Sequence, residues 1–298
     1  MKVVFLGNHN VGINVLHALL KKTQLVGIVA HPEDPEDGVQ YQSVYEFAIK
    51  NNLPAIRSTG KSPRLFEFIT SQKPDLLWST DFRYILPESL VSLASLGAVN
   101  IHPSLLPKYR GRASINWAVI NGEKEFGLTV HFIDNGVDTG DIIQQITIPI
   151  DQLDYIEDLL KKSYPLYFHI TCSVIDLFYN NTIKRTVQTE VLPEYPRRTA
   201  KDGKINWNQS TQDIFNLIRA VSRPYPGAFT YFDNIQKIFI WRATPIFELE
   251  KHNNYPNGFV IESSSNCFKV KCHDGIIHVT DFSSDGNNFY LDAGCTLK

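Results

Sequence analysis

The sequence has little that would mark a secreted or membrane-spanning protein. Only four of its 298 residues are cysteines, without CxxC spacing or a disulfide-dense pattern. We expect these four residues, Cys172, Cys267, Cys272 and Cys295, to be reduced and structural. No apolar run approaches the roughly 20 residues that a membrane span needs, and the run at residues 3–6 is too short for a signal peptide. We therefore expect a cytoplasmic protein with no membrane partner.

An excess of charge of either sign is also missing. The chain has 29 Lys and Arg residues against 31 Asp and Glu residues, which gives a formal net charge of −2. This balance argues against bulk electrostatic attraction to nucleic acid or acidic lipid, although it leaves room for a local basic patch. The composition, 43% hydrophobic and 20% charged, is typical of a globular protein, and the length predicts two domains.

The first half of the sequence contains a regular alternation of strand and helix patterns. The predicted strands cover residues 3–6, 25–30, 75–78, 98–101, 128–133 and 142–148. The predicted helices lie near residues 11–20, 44–48, 65–69, 88–96 and 156–179, with Pro165 expected to kink the last. This alternation predicts an α/β fold with a mostly parallel sheet, which binds ligands at the carboxyl ends of its strands near a topological switch point.

The pattern changes after about residue 192. Residues 193–204 are rich in proline, arginine and glycine, and this composition is typical of an interdomain linker. One amphipathic helix near residues 214–221 follows, and only short strand patterns separated by turn residues come after Ala228. We therefore predict a first domain over 1–192, a linker over 193–204 and a second domain over 205–298 with a small β-barrel or sandwich.

A polar pair lies at the predicted carboxyl end of one of these strands. Asn100 and His102 are two residues apart, so their side chains project from the same face of the strand. An amide can stabilise an oxyanion by donating a hydrogen bond, and an imidazole can move a proton near neutral pH. An alternative stays open from spacing alone, in which both side chains only satisfy backbone groups at the strand end.

An acidic residue between two glycines is the second candidate. Gly136 and Gly140 permit a tight backbone path around Asp138, whose carboxylate would support a histidine. An ordinary hairpin turn explains the same pattern equally well. Asp141 competes with Asp138 for any acidic role.

Together these segments resemble the signature of the formyltransferase family. The matching segments are residues 100–107 (NIHPSLLP), 110–111 (RG), 127–130 (GLTV) and 136–140 (GVDTG). The resemblance implies N10-formyltetrahydrofolate as formyl donor and co-substrate, no metal, and an Asn, a His and an Asp as catalytic residues. These three roles map onto Asn100, His102 and Asp138.

The resemblance continues into the second half of the chain. Residues 202–207, 218–220 and 224–229 are similar to the start of the family's C-terminal OB-like domain. The fold implied is thus a Rossmann-like, mostly parallel sheet with helices on both faces, followed by a small β-rich OB-like domain. Glycinamide ribonucleotide formyltransferase lacks this second domain and is therefore excluded.

The resemblance also implies two sets of binding residues. The folate would lie along Phe82, Arg83, Tyr84, Ile85 and Leu86, with Gly136 and Val137 in the opposite wall. A plain sheet-to-helix connection is the other interpretation of residues 82–86. Weaker candidates for contact with the acceptor substrate are His9, Ser104, Lys108, Arg110 and Tyr225. Lys108 and Arg110 are equally compatible with structural salt bridges.

The acceptor amine is the open question. Enzymes that formylate methionyl-tRNA resemble one another in a basic loop after the second strand, whereas residues 31–37 (HPEDPED) carry four carboxylates, which would repel a phosphate backbone. His9, His31, residues 34–35, residues 43–44 and residues 116–119 look like the domain that formylates UDP-4-amino-4-deoxy-L-arabinose. We therefore expect a nucleotide-linked amino sugar and a folate as small-molecule partners, with nucleic acid disfavoured.

Three alternatives to sugar formylation remain open, and so does the oligomeric state. Formylation of methionyl-tRNA is the second choice, and hydrolysis of formyltetrahydrofolate with water as acceptor is the third. A binding protein without catalysis is disfavoured because all three catalytic residue types are present. Ser104 near His102 and Asp138 does not form a hydrolase triad, because the chain has no nucleophile elbow. A homodimer is compatible with the family.

Overall fold

Strands and helices alternate through the first half of the chain, as the sequence pattern predicts. The computed structural model describes residues 1–32, 42–190, 192–233, 235–247, 254–285 and 291–298. The acidic segment at residues 31–37 therefore lies outside the described residues, apart from His31 and Pro32.

The described residues of this first half form seven strands and six helices. The strands are β1 (Lys2–Gly7), β2 (Gln24–Ala30), β3 (Ala55–Arg57), β4 (Leu76–Thr80), β5 (Ala98–His102), β6 (Glu125–Phe132) and β7 (Ile142–Pro149). The helices are α1 (His9–Lys22), α2 (Val44–Lys50), α3 (Pro63–Gln72), α4 (Glu88–Val91), α5 (Ser114–Ile120) and α6 (Ile156–Tyr179).

The seven strands form one sheet in the order β3-β2-β1-β4-β5-β6-β7. The pairs from β3 to β5 are parallel, whereas β6 is antiparallel to β5 and β7 is antiparallel to β6. The chain builds outward from β1 in one direction through β2 and β3, then returns to the other side of β1 with β4. The topological switch point therefore lies between β1 and β4, and their carboxyl ends are where a ligand is expected.

Helices cover both faces of the sheet because strand residues alternate between the faces. On one face, Val4 and Leu6 of β1 belong to a buried cluster with Leu65 and Ile69 of α3. On the other, the ring of Phe5 lies against Gly12 of α1. These observations confirm the Rossmann-like α/β prediction.

Three local elements differ from the sequence prediction. The helix expected over residues 88–96 ends at Val91, although Leu90 and Ala94 keep helical spacing and are both buried. Beyond Val91 the backbone N–H groups of Leu93 and Ala94 bond three residues back, which gives successive tight turns. The sequence analysis did not predict β3, which has only three residues, or α5. Pro165 lies inside the continuous α6.

Where the structure describes it, the second half contains one more α-helix and a second sheet. After a 3₁₀ turn at Ala200–Gly203 come helix α7 (Thr211–Val221) and strands β8 (Ala228–Phe232), β9 (Gln236–Ile246), β10 (Val260–Ser263), β11 (Phe268–Lys271) and β12 (Ile276–Ser284). These strands pair antiparallel in the order β10-β11-β12-β9-β8. The small β-rich part is therefore confirmed, and its OB-like closure stays a prediction.

The chain divides into two compact units that exchange short segments. One unit comprises residues 1–114, 125–149 and 160–196, and the other comprises residues 115–124, 150–159 and 197–298. The domain limits proposed from the sequence, 1–192, 193–204 and 205–298, remain a prediction. Within the described ranges, no helix combines the length and apolarity required to cross a membrane.

Gly7 allows β1 and β4 to approach each other at the switch point, because a Cβ atom there would lie 2.1 Å from the backbone oxygen of Thr80. We expect Gly7→Ala to destabilise the protein by about 3 kcal/mol, since the neighbouring atom is backbone and cannot give way cheaply. Thermal unfolding followed by circular dichroism measures this loss. The control is Gly97→Ala, where space is open but φ is +79°, and about 1–2 kcal/mol of backbone strain is expected. A Gly7→Ala protein that melts above the Gly97→Ala protein would contradict the close-packing argument.

Candidate active site

Asn100 and His102 both lie on β5, next to the switch point. In the parallel pairing of β4 with β5, Asn100 is opposite Ser79, so the segment that leaves β4 begins beside the carboxyl end of β5. His102 is the last residue of β5, and its side chain is buried. Asn100 is partly buried. Both side chains therefore stand at the edge of the sheet where a ligand is expected.

The His102 ring is held through both of its nitrogens. Nε2 donates to the backbone oxygen of Tyr109 at 2.8 Å, because a carbonyl can only accept. Nδ1 lies 3.4 Å from Oδ2 of Asp138. In the neutral ring the proton therefore resides on Nε2, and Nδ1 is the atom that can take up a further proton, next to a carboxylate that stabilises the resulting charge.

Asp138 lies in a loop after β6 that two glycines make possible. Its φ is +53°, a left-handed conformation that a non-glycine residue seldom adopts. A Cβ atom on Gly140 would lie 1.9 Å from the backbone oxygen of Phe132, so only glycine fits there. Asp134 closes the loop, since its Oδ1 accepts from the Gly136 N–H at 3.0 Å and from the Thr139 hydroxyl at 2.6 Å.

The Asp138 carboxylate is surrounded by hydrogen-bond donors and imidazoles. Its Oδ2 accepts from the backbone N–H of Gly111 at 3.0 Å, and its side chain is only 14% exposed. Burial acts to raise the pKa of Asp138, but His102, His131 and the Gly111 N–H outweigh it, so this pKa lies well below its usual range. Asp138 is therefore an ionised carboxylate across the physiological pH range.

His131 on β6 is a site residue that the sequence analysis missed. The antiparallel pairing of β5 with β6 places it opposite Asn100. Its Nε2 lies 3.2 Å from Nδ2 of Asn100 and 3.5 Å from Oδ1 of Asp138. The sequence predicts a strand over residues 128–133, but it does not predict that this strand pairs with β5. Only that pairing brings His131 next to Asn100. Asn100, His102, His131 and Asp138 thus form one connected cluster.

The predicted folate segment lies next to this cluster in the fold. Residues 82–86 leave the carboxyl end of β4, and the Arg83 backbone oxygen accepts from Nη2 of Arg112. Leu86 is buried in the core, whereas Tyr84 is exposed and Ile85 is 61% exposed. Exposed apolar side chains at a ligand-binding edge are suited to a flat heterocyclic ring.

A buried nitrogen without a partner lies beside this segment. His31, at the end of β2, is 2% exposed, and no hydrogen-bond partner reaches its Nε2 among the described residues. Its ring centroid is 6.4 Å from that of Phe82 and 6.5 Å from that of Tyr84. Burial lowers the pKa of His31, so the ring is neutral at physiological pH. An orphaned polar atom beside apolar rings fits a heterocycle that carries its own polar atoms.

Of the predicted substrate contacts, three lie at this edge with known partners. Nδ1 of His9 contacts the carboxylate of Asp81, and the hydroxyl of Ser104 donates to the Lys108 backbone oxygen at 2.7 Å. Arg110 is buried, and its guanidinium donates to the backbone oxygens of Val137 at 3.0 Å and Leu192 at 3.1 Å. The bond from Arg110 to Val137 holds the loop of Asp138 in place.

The other two predicted contacts, Lys108 and Tyr225, have different settings. Lys108 is exposed and lies in the loop after β5, where its backbone N–H bonds to Leu105 at 3.1 Å. Tyr225 is half-buried in the compact unit that contains residues 197–298. Within the described residues, no group of three His, Cys, Asp or Glu side chains is arranged to hold a metal ion.

The lowered pKa of Asp138 predicts a pH-dependent stability. Ionised Asp138 stabilises the folded state above its unfolded pKa near 4, and this stabilisation decreases as the pH falls towards the lower folded value. The difference in melting temperature between wild type and Asp138→Asn should therefore narrow between pH 5 and pH 2.5. In the control Asp141→Asn, the lost carboxylate is 31% exposed and 3.9 Å from Arg185, so a small difference is expected at every pH. A constant Asp138→Asn difference over this range would refute the assigned charge state.

Family models match most of the chain. The formyl transferase model matches residues 1–166, and the model of the formyl transferase C-terminal domain matches residues 198–290. Among solved structures, WlaRD, a sugar 3N-formyl transferase studied in the presence of dTDP and 5-N-formyl-THF, is 25% identical with a TM-score of 0.70. That match covers 95% of this chain and 97% of WlaRD.

Two curated relatives are similar at the sequence level. The bifunctional polymyxin resistance protein ArnA of Wigglesworthia glossinidia brevipalpis is 35% identical over 256 residues, a match that covers 84% of this chain but only 39% of ArnA. Methionyl-tRNA formyltransferase of Acetivibrio thermocellus is 33% identical over 293 residues, covering 96% of this chain and 93% of the relative. The chain belongs to the formyl transferase family and is a formyl-transferring enzyme.

Proposed function

We propose that this enzyme transfers the formyl group of N10-formyltetrahydrofolate to the amine of a nucleotide-linked amino sugar. A UDP-linked 4-amino sugar used in surface-glycan biosynthesis is the acceptor we favour. The observation that carries the transfer step is the cluster at the switch point, where an amide, two imidazoles and an ionised carboxylate lie within hydrogen-bonding or ion-pairing range of one another.

Asn100 would stabilise the charge that develops during transfer. Attack of a neutral amine on the formyl carbon gives a tetrahedral oxyanion, and the Asn100 side-chain N–H is the donor at this edge of the sheet. A preorganised donor of this kind contributes about 3 kcal/mol to lowering the barrier. No nucleophilic side chain is needed, and the Ser104 hydroxyl already donates to a backbone oxygen.

His102 would accept the proton that the amine loses. Its Nε2 holds its own proton against the Tyr109 backbone oxygen, so Nδ1 receives the new one. The imidazolium formed would be stabilised by Asp138, whose Oδ2 is 3.4 Å away. Collapse of the tetrahedral intermediate would break the bond between the formyl carbon and N10, and the proton taken up by His102 would pass to N10, so that tetrahydrofolate leaves. The Gly111 N–H and Arg110 keep the Asp138 carboxylate and its loop in place. The pair thus combines a proton acceptor with a fixed countercharge.

The folate would bind along residues 82–86, with Gly136 and Val137 in the opposite wall. This assignment is supported by the exposed side chains of Tyr84 and Ile85 and by the orphaned Nε2 of His31 next to them. When bound there, the folate supplies the formyl group. The protein's part is to seat its ring in an apolar, partly buried environment beside β5.

The acceptor class is argued from charge and from similarity. Residues 33–37 carry four carboxylates where tRNA enzymes resemble one another in basic residues, and the net charge is −2. Both features oppose binding of a polyanion. WlaRD, a sugar 3N-formyl transferase that matches with a TM-score of 0.70, supports a sugar acceptor. The 3N position and the dTDP nucleotide belong to WlaRD, and the sugar and nucleotide of this enzyme stay open.

Methionyl-tRNA is the second candidate acceptor. The tRNA enzyme of Acetivibrio thermocellus is 33% identical and matches over 93% of its length, so overall similarity alone does not separate the two classes. Hydrolysis of formyltetrahydrofolate, with water as the acceptor of the formyl group, ranks below both the sugar and the tRNA as a candidate reaction. A cytoplasmic location and a homodimer, expected from the sequence, remain proposals.

A panel of acceptors tests the assignment. Purified enzyme is given N10-formyltetrahydrofolate with UDP-, dTDP- and GDP-linked 4-amino and 3-amino sugars, or with initiator methionyl-tRNA. We expect one nucleotide sugar to be formylated and the tRNA to remain unmodified, with little response to added salt because few phosphates are neutralised. Formylation of the tRNA alone, weakened steeply by salt, would replace the sugar assignment. Release of formate at the same rate without acceptor would indicate the hydrolase.

A further inference from the structure

His131 is fixed in one hydrogen-bonding state by its own strand. Its ring is buried near the C-terminal end of β6, and Nδ1 lies 2.8 Å from the backbone oxygen of Phe132. A carbonyl only accepts, so Nδ1 carries the proton and Nε2 of the neutral ring presents a lone pair. That lone pair faces Nδ2 of Asn100 at 3.2 Å.

This arrangement decides which end of the Asn100 amide faces His131. With Nε2 as an acceptor, the NH₂ end of the amide is favoured, because the opposite orientation would place two lone-pair acceptors against each other. The NH₂ group has two hydrogens. When one of them bonds to His131, the second has a fixed direction, which is what an oxyanion donor requires.

The ionised carboxylate of Asp138 lies near Nε2 of His131, but it is farther from Nε2 than the Asn100 amide. Asp138 Oδ1 is 3.5 Å from Nε2, farther than Asn100, and Oδ2 of the same carboxylate is engaged by Gly111 and faces His102. On the other neighbouring strand, β7, the residue opposite His131 is the apolar Ile142. The contact with Asn100 therefore defines what the ring does.

We propose that His131 is a positioning residue for formyl transfer, which orients the Asn100 amide so that one N–H is presented to the oxyanion. This inference rests on the proposed formyl transfer at Asn100 and adds a residue to it. His131 itself touches no reacting atom. Its contribution should appear in the rate of transfer and should pass through Asn100.

Two replacements of His131 distinguish its effect on the orientation of the Asn100 amide from its effect on packing. His131→Leu keeps much of the ring's bulk and removes the acceptor, whereas His131→Gln restores an acceptor oxygen near the position of Nε2. We expect Leu to lower kcat about 10- to 100-fold with the KM for N10-formyltetrahydrofolate unchanged within a factor of two, and Gln to recover kcat to within about fivefold of wild type. Equal losses in Leu and Gln would overturn the inference. Thermal melting verifies that both variants are folded.

A double-mutant cycle with Asn100→Ala identifies the route of the effect. Single-turnover rates with enzyme in excess are measured for wild type, His131→Leu, Asn100→Ala and the double variant. If His131 acts through Asn100, adding His131→Leu to Asn100→Ala should slow the reaction by less than about threefold. A full 10- to 100-fold additional loss would mean that His131 acts elsewhere and would overturn the inference.

The assay uses the acceptor of the UDP-, dTDP- and GDP-linked amino sugar panel that wild type formylates fastest, with N10-formyltetrahydrofolate as donor. Failure of wild type to formylate any of these sugars counts against the proposed acceptor. The His131 cycle is then run on the tRNA or on formate release, whichever wild type supports. An unaltered rate in His131→Leu on an active wild-type background counts against the inference alone.

Discussion

The site depends on one buried carboxylate held between two imidazoles. Asp138 reaches this position because its backbone adopts a left-handed conformation and Gly140 lets the loop pass against the oxygen of Phe132. A hydrogen bond from Gly111 and the nearby imidazoles of His102 and His131 offset the cost of burying the charge. Without that carboxylate, a proton taken up by His102 would have no countercharge.

The position of Asp138 also determines which of its neighbours each imidazole contacts. Asp138 faces the nitrogen of His102 that is able to take up a proton, and His131 faces the amide of Asn100. In the proposed mechanism, proton transfer and oxyanion stabilisation thus belong to neighbouring groups on β5, each held by a residue from β6 or from the loop after it. The rigid sheet supplies the geometry, and the edge next to the switch point is where such a sheet binds ligands.

Much of this architecture was predictable from the sequence because the relevant signals are local. Apolar runs identified the strands that carry Asn100, His102 and His131, and the glycines at 136 and 140 identified the tight loop around Asp138. Strand pairing is not a local property, so the antiparallel register that places His131 opposite Asn100 was not foreseen. The same applies to His31, whose orphaned nitrogen depends on burial by distant residues. The prediction that a helix reaches residue 96 was wrong, because the apolar residues keep helical spacing in a segment whose backbone forms successive turns.

The central claim is that His102, paired with Asp138, removes the proton from an amine during formyl transfer. The most direct measurement follows a ¹³C-labelled formyl group by NMR in wild type and in His102→Asn, with N10-formyltetrahydrofolate and the preferred amino-sugar nucleotide. Wild type should convert the label into a formamide carbon without free formate. His102→Asn should bind the folate with unchanged affinity and form no formamide. Retained formamide production in His102→Asn, or label that appears only as formate in wild type, would contradict the account.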